Sequence, residues 1–141
     1  MRDDRKISII IPGNPQPCHR PRFSVQGRVY SDQRKENEEL SFLVRSQINR
    51  DQPLTGPISL TSTFFMQIPK SMSVKKQNKL LCTPHSIRPD IDNLEKRCYD
   101  IITLAGVVFK DDCQIAVTSS KKVWSNNPRT EIEIEEIEYE N

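Results

Sequence analysis

The apolar residues of this 141-residue chain change period along its length, and that change is the tightest constraint on what it folds into. Ile58, Leu60, Phe64, Met66 and Ile68 alternate with Ser59, Thr61, Thr63 and Gln67, the pattern of a half-buried strand with Phe65 as its one large exception. Leu94, Cys98, Ile101, Ile102 and Ala105 instead recur at i, i+4, i+7, i+8 and i+11, so a helix buries that face and Gly106 is placed as its C-terminal cap. The length is that of one domain, read as residues 1–141, with chain enough for one sizeable core.

Around these two segments the pattern fills in. Ile7 to Ile11 reads as a short buried strand, and Pro12-Gly13-Asn14-Pro15-Gln16-Pro17 as an irregular loop, because proline fixes φ and removes donors. Gly27 marks a hairpin or turn. Asp32 is placed to cap a helix carrying Leu40, Leu43, Val44 and Ile48, which ends before Pro53. Val74 to Leu81 suits a short basic helix, and Cys82 to Pro89 a loop. Ile115, Val117 and Val123 support another strand; Ile132, Ile134, Ile137 and Tyr139 support a last one, whose three-residue step predicts a bulge near Glu135 and Glu136.

The net charge of +2 conceals an asymmetry. Six glutamates and no basic residue occupy the last eleven positions, so residues 1–130 carry +8. From Gln52 to Pro89 there is no acid, while Lys70, Lys75, Lys76, Lys79 and Arg88 are present, and Arg20, Arg22 and Arg28 add to the N-terminal part. This is the footprint of a polyanion ligand, although a single basic cluster is more commonly just a solvated face. Four cysteines without a CxxC pair are expected to be reduced and mostly core residues. The Cys82/His85 spacing lacks a second close pair to complete a zinc site. No apolar run approaches a bilayer span, and no signal-like segment opens the chain, so a cytoplasmic location is the default expectation, with neither membrane nor organic cofactor.

The chemistry concentrates between Arg88 and Ile115. Asp90 and Asp92, two residues apart in an extended approach, face one side, while Asp92 and Lys96 share a helical face. Mg²⁺ takes one or two carboxylates, waters and substrate phosphate, and such an ion polarises a phosphodiester and activates water. A lysine balances the charge that develops. Each fragment also has a bland reading: Asp92 and Glu95 resemble a capping box, and Asp111-Asp112 is ordinary turn chemistry. Their combination argues otherwise, since four unpaired carboxylates around one helix repel unless solvent or a cation relieves them.

Through Pro89-Asp90-Ile91-Asp92-Asn93-Leu94, Lys96, Asp100, Ala105-Gly106 and Asp111-Asp112-Cys113-Gln114-Ile115, the chain resembles the RusA family of Holliday junction resolvases. Weaker similarity covers most of the rest, including the N-terminal strand, the Arg20-Pro21-Arg22 cluster and the strand after Pro128. The resemblance implies an α+β fold, a mixed sheet flanked by helices, working as a homodimer on four-way or branched DNA. It implies Mg²⁺ or Mn²⁺ held by Asp90, Asp92 and one of Asp111 and Asp112, with Asp112 favoured, and Lys96 as the catalytic lysine. Arg20, Arg22, Lys70, Lys75, Lys76, Lys79 and Arg88 are expected to hold DNA through phosphates. Phe23 and Phe65 are better placed in the core than stacked on bases. Two other functions fit the same features: a non-catalytic recombination accessory protein that binds DNA, and a nuclease for flaps or forks.

Overall fold

The computed structural model describes residues 5–19, 22–30 and 32–138, with Arg22 and Tyr30 described by backbone only. In chain order the elements are β1 (Lys6–Pro12), β2 (Arg22–Phe23), β3 (Val29–Tyr30), α1 (Arg34–Gln47), β4 (Ile58–Gln67), α2 (Val74–Leu80), α3 (Ile91–Ala105), β5 (Ile115–Ser125) and β6 (Arg129–Glu136). Four strands form one sheet in the order β1-β6-β4-β5, and β2 and β3 form a separate hairpin around Gly27. The β4–β5 pairing is parallel and the other two in the main sheet are antiparallel, so the sheet is mixed and the fold is α+β.

Alternation decides which face of the sheet is covered. Ile7, Ile9 and Ile11 of β1, Ile132 and Ile134 of β6, and Ile58, Leu60, Phe64 and Met66 of β4 are buried, and they share one core cluster with Val44 of α1 and Leu94, Cys98, Ile101 and Ile102 of α3. On the other face the β6 positions are Glu131, Glu133 and Glu135, with Thr61 and Thr63 beside them on β4. Phe65 belongs to this second face, where the Arg129 guanidinium lies 3.7 Å from its ring centroid. That explains the exception in the alternating run.

Both edges of the sheet are managed locally. The Gln47 amide donates to Ile10 O at 2.8 Å and accepts from Ile10 N at 2.9 Å, which occupies the outward peptide groups of Ile10 near the middle of β1. On the far side, Cys82 N donates to Trp124 O, Trp124 N to Thr83 O and His85 N to Lys122 O, each at 3.0 Å, so the loop before α3 pairs with the end of β5.

Several local expectations need correction. Gln33, not Asp32, is the N-cap residue of α1, and its side chain makes no capping bond; it accepts from His19 N at 2.8 Å and donates to Pro17 O at 2.9 Å. β6 has no bulge at Glu135, because the strand stops at Glu136 and Ile137 N donates to Pro57 O; the register shift lies between Ile58 and Ser59, opposite β5. Tyr139 lies outside the described residues. Among the cysteines only Cys98 is buried, with its thiol pushed up to about 12 by burial. Phe23 is 74% exposed on the hairpin and not part of the core. No helix among the described residues is long and apolar enough to cross a membrane.

Candidate functional site

Helix α3 organises the site because its two faces have separate jobs. Leu94, Cys98, Ile101, Ile102 and Ala105 are buried against the sheet and α1. Asp92, Lys96 and Asp100 follow at i, i+4 and i+8 and so form one ridge, about 12 Å long at the helical rise. The Arg97 side chain is buried between the two and donates to Glu36 Oε1 at 2.7 Å and Asn37 Oδ1 at 3.2 Å, which locks α3 to α1. Tyr99 ties the same helix to β5: its hydroxyl donates to Glu95 Oε2 at 2.8 Å and lies 2.8 Å from Thr118 Oγ1. Burial pushes that phenol up to about 12.

Asp90 is the N-cap residue of α3, yet its carboxylate makes no capping bond. An aspartate at this position ordinarily accepts from the first free N–H groups of the helix. Asp92 Oδ1 instead accepts from Asn93 N at 2.9 Å. Both carboxylates border one open depression together with His85, Arg88 and Lys122, and Asp90 and Arg88 also border a second one shared with the loop at Asn14–Pro17. That loop is held to the helix start by Cys18 N donating to Asn93 O at 3.0 Å.

The other acidic pair reaches the far end of the ridge. Gly106 closes α3 at φ 72°, which a glycine adopts without a Cβ penalty, and turns the chain back toward the helix. Asp111 then acts as the cap of a single 3₁₀ turn: its Oδ1 accepts from Cys113 N at 3.0 Å, and Gln114 Oε1 accepts from Asp111 N at 3.2 Å. Gln114 Nε2 donates to Leu54 O and Gly56 O at 2.9 and 3.1 Å, which anchors the turn to the core side of the protein. A capping box is therefore present here and not at Asp92/Glu95. The hydrogen bond from Cys113 N holds the Asp111 carboxyl below its ordinary range, whereas a hydrogen bond shared with Asp111, helped by the charge of Asp100 and opposed by Lys96, raises Asp112.

The predicted residues thus fall into two groups on one helix. Asp90 and Asp92 stand at its start, and Asp112 stands near Lys96 and Asp100, one to two turns further on. Among the described residues no three His, Cys, Asp or Glu side chains form a group that could hold a metal ion. The donor set nevertheless suits Mg²⁺ or Mn²⁺, which need only one or two carboxylates beside water and phosphate, and Asp90 has an oxygen pair that no cap consumes. Of the basic residues, Arg88 is at the depression and Lys70, Lys75, Lys76 and Lys79 are exposed on or near α2. Arg20 and the Arg22 side chain lie outside the described residues.

Two further residues of the depression, His85 and Lys122, lie outside the acidic motif. His85 is 7% exposed, its ring centroid is 4.3 Å from that of Trp124, and Nδ1 has no hydrogen-bond partner. Lys122 Nζ donates to Ile87 O and Pro89 O, each at 2.7 Å. Only strand parity distinguishes it from Lys121: Lys122 is opposite Phe64, on the covered face, and Lys121 is opposite Thr63.

Residues 12–135 match the family described as endodeoxyribonuclease RusA. The chain is 32% identical to the uncharacterized protein YqaN of Bacillus subtilis (strain 168), over 93% of this chain and 96% of that protein. It is also 32% identical to the crossover junction endodeoxyribonuclease rusA of Lactococcus phage r1t, over 80% of this chain and 82% of that protein. The family match runs from the end of β1 through most of β6 and takes in the whole of α3 and the 3₁₀ turn. A mixed sheet carrying an acid–lysine–acid ridge on its covering helix therefore belongs, in this chain, to a member of the RusA family of endodeoxyribonucleases.

Proposed function

We propose that the protein resolves Holliday junctions by paired symmetric nicks, as a homodimer that requires Mg²⁺ or Mn²⁺, in DNA recombination and repair. The observation that carries this reading is the ridge of α3, on which Asp92, Lys96 and Asp100 stand in line with Asp90 at one end and Asp112 beside the other. Asp90 and Asp92 would hold the divalent cation together with water and substrate phosphate, and Asp112 would face the same phosphate from further along the ridge. Asp112 is preferred to Asp111 because Asp111 is already engaged in capping the 3₁₀ turn. When bound, such a cation supplies Lewis-acid polarisation of a phosphodiester and a bound water that is easily deprotonated.

The remaining roles fall to the chain's own groups. Lys96 stabilises the negative charge that builds on the phosphate during in-line attack, and its place between two acids keeps its ammonium on the ridge. Departure of the 3′ oxygen leaves a 5′ phosphate that can be religated. Arg88 and the exposed lysines of the α2 region hold the DNA arms through phosphates, contacts that position the substrate without reading its sequence. Arg20 and Arg22 complete that set. One protomer makes one nick, so resolution of a junction calls for a symmetric pair of protomers.

The test is incubation with a labelled four-way junction and a matched duplex, in Mg²⁺ or EDTA, alongside Asp90→Asn. Symmetric nicks in the junction that need Mg²⁺ and vanish in the variant are the expected result. Cutting by Asp90→Asn at the normal rate would overturn the assignment of the site, and binding without cutting in every condition would favour a DNA-binding accessory role.

A further inference from the structure

The loop that delivers Asp90 to α3 has no secondary structure of its own to hold it. Residues 86–90 lie between the short pairing of His85 with β5 and the first turn of α3, and Ser86, Ile87 and Arg88 are exposed. Among the described residues, a single ammonium supplies the side-chain hydrogen bonds to the loop's backbone. Lys122 Nζ donates to the carbonyls of Ile87 and Pro89, two residues apart, at 2.7 Å each, and the second of these carbonyls belongs to the residue immediately before Asp90. Both bonds are charge-assisted, the class that is short and roughly twice as strong as a neutral pair.

The base of this clamp is rigid. Lys122 sits in β5, whose neighbour β4 is a central strand, with Phe64 fully buried directly opposite. Its own backbone carbonyl accepts from His85 N at 3.0 Å, so the lysine grips the loop at its beginning through the main chain and at its end through the side chain. We propose that Lys122 is a positioning residue for the metal site: it fixes the backbone from which the Asp90 carboxylate projects and so sets the geometry of Asp90 relative to Asp92 for a divalent cation. The inference rests on the function proposed above.

A lysine acting this way differs from one that touches DNA. Two of its three N–H donors are directed to main-chain carbonyls, so removing it loosens a ligand rather than deleting a phosphate contact. Misplacing a reacting group by about an ångström can cost on the order of a hundredfold in rate.

The experiment compares wild type, Lys122→Met and Lys122→Arg, all checked for folding by circular dichroism and thermal melting. Mn²⁺ binding to the protein without DNA is measured by calorimetry, junction binding in Ca²⁺ by gel shift, and cleavage as a function of Mn²⁺ concentration. Lys122→Met is expected to bind Mn²⁺ at least tenfold more weakly and to need correspondingly more Mn²⁺ for cleavage, with junction affinity within twofold of wild type. Lys122→Arg, whose guanidinium still offers two donors, is expected to recover most of the Mn²⁺ affinity. Unchanged Mn²⁺ binding in a folded Lys122→Met, or junction affinity falling in step with cleavage, would overturn the proposal. If Lys122→Met does not fold, Lys122→Gln, which loses the ammonium but keeps a polar side chain, takes its place in every measurement, and unchanged Mn²⁺ binding by folded Lys122→Gln overturns the proposal. Absence of Mn²⁺ binding and of cutting by wild type would refute the proposed function itself, an outcome separate from these.

Discussion

Replacement of Gly106 by alanine isolates one backbone requirement of the site. Gly106 has φ 72°, and a methyl group there would meet no atom within 4 Å, so no steric clash contributes to the effect. Holding an L residue in the left-handed region costs about 1–2 kcal/mol. Alanine also restricts the unfolded chain, which returns about 0.4–1 kcal/mol. The expected net loss is about 0.8 kcal/mol, within bounds of about 0 to 1.6. With a urea m-value of about 2 kcal/mol/M, the midpoint falls by about 0.4 M; at about 2–4 °C per kcal/mol, the melting temperature drops by about 2–3 °C. Gly106→Asn should lose less, because asparagine visits this region more readily than alanine. Equilibrium urea unfolding followed by tryptophan fluorescence at Trp124 and by circular dichroism measures both. Equal losses for the two variants, or a loss above about 3 kcal/mol, would show that packing rather than backbone conformation governs the end of α3, and the reasoning would fail.

Two further outcomes follow from the same structure. Burial, aided by the nearby Lys122 charge, lowers the His85 pKa below 6.5, so between the folded value and 6.5 the unfolded chain carries the extra proton and stability falls as the pH drops through that window. His85→Gln should flatten this part of the profile, as measured by denaturant unfolding at pH 7.5 and pH 5.5; an unaltered slope would contradict it. Replacing Lys75, Lys76 and Lys79 together by alanine should weaken junction and duplex binding alike and lower the slope of log K against log salt by up to about 2.7, since each phosphate contact contributes about 0.9. A loss confined to junctions would assign these lysines a different role.

The period of the apolar residues was enough to locate β1, β4 and α3 and to place Gly106 at the helix end, because burial on one face leaves a mark every second residue or every third to fourth one. Helical spacing likewise put Asp92 and Lys96 on one face, and Asp100 one turn further on continues that ridge in α3. The capping expectations failed where competing partners were distant in sequence. Asp32 lies 3.1 Å from His19 Nδ1 through its Oδ1, and the capping box formed at Asp111/Gln114 because Gln114 also reaches Leu54 and Gly56. Phe23 illustrates the limit in the other direction, since a large apolar residue on a two-stranded hairpin finds no sheet to cover it.

The sequence by itself determined most of the elements and offered the residue types on which the proposed chemistry rests, since both depend on spacing within one segment. Only the tertiary structure decided how the segments meet. The parallel β4–β5 register selects Lys122 over Lys121 as the residue that holds Ile87 and Pro89, and a slip of one residue would exchange them. The return of the chain after Gly106 likewise brings Asp112 to Lys96 and Asp100, leaving Asp111 to cap the turn. Such choices depend on strand pairing and chain reversal between residues far apart in sequence, and local spacing carries no record of them.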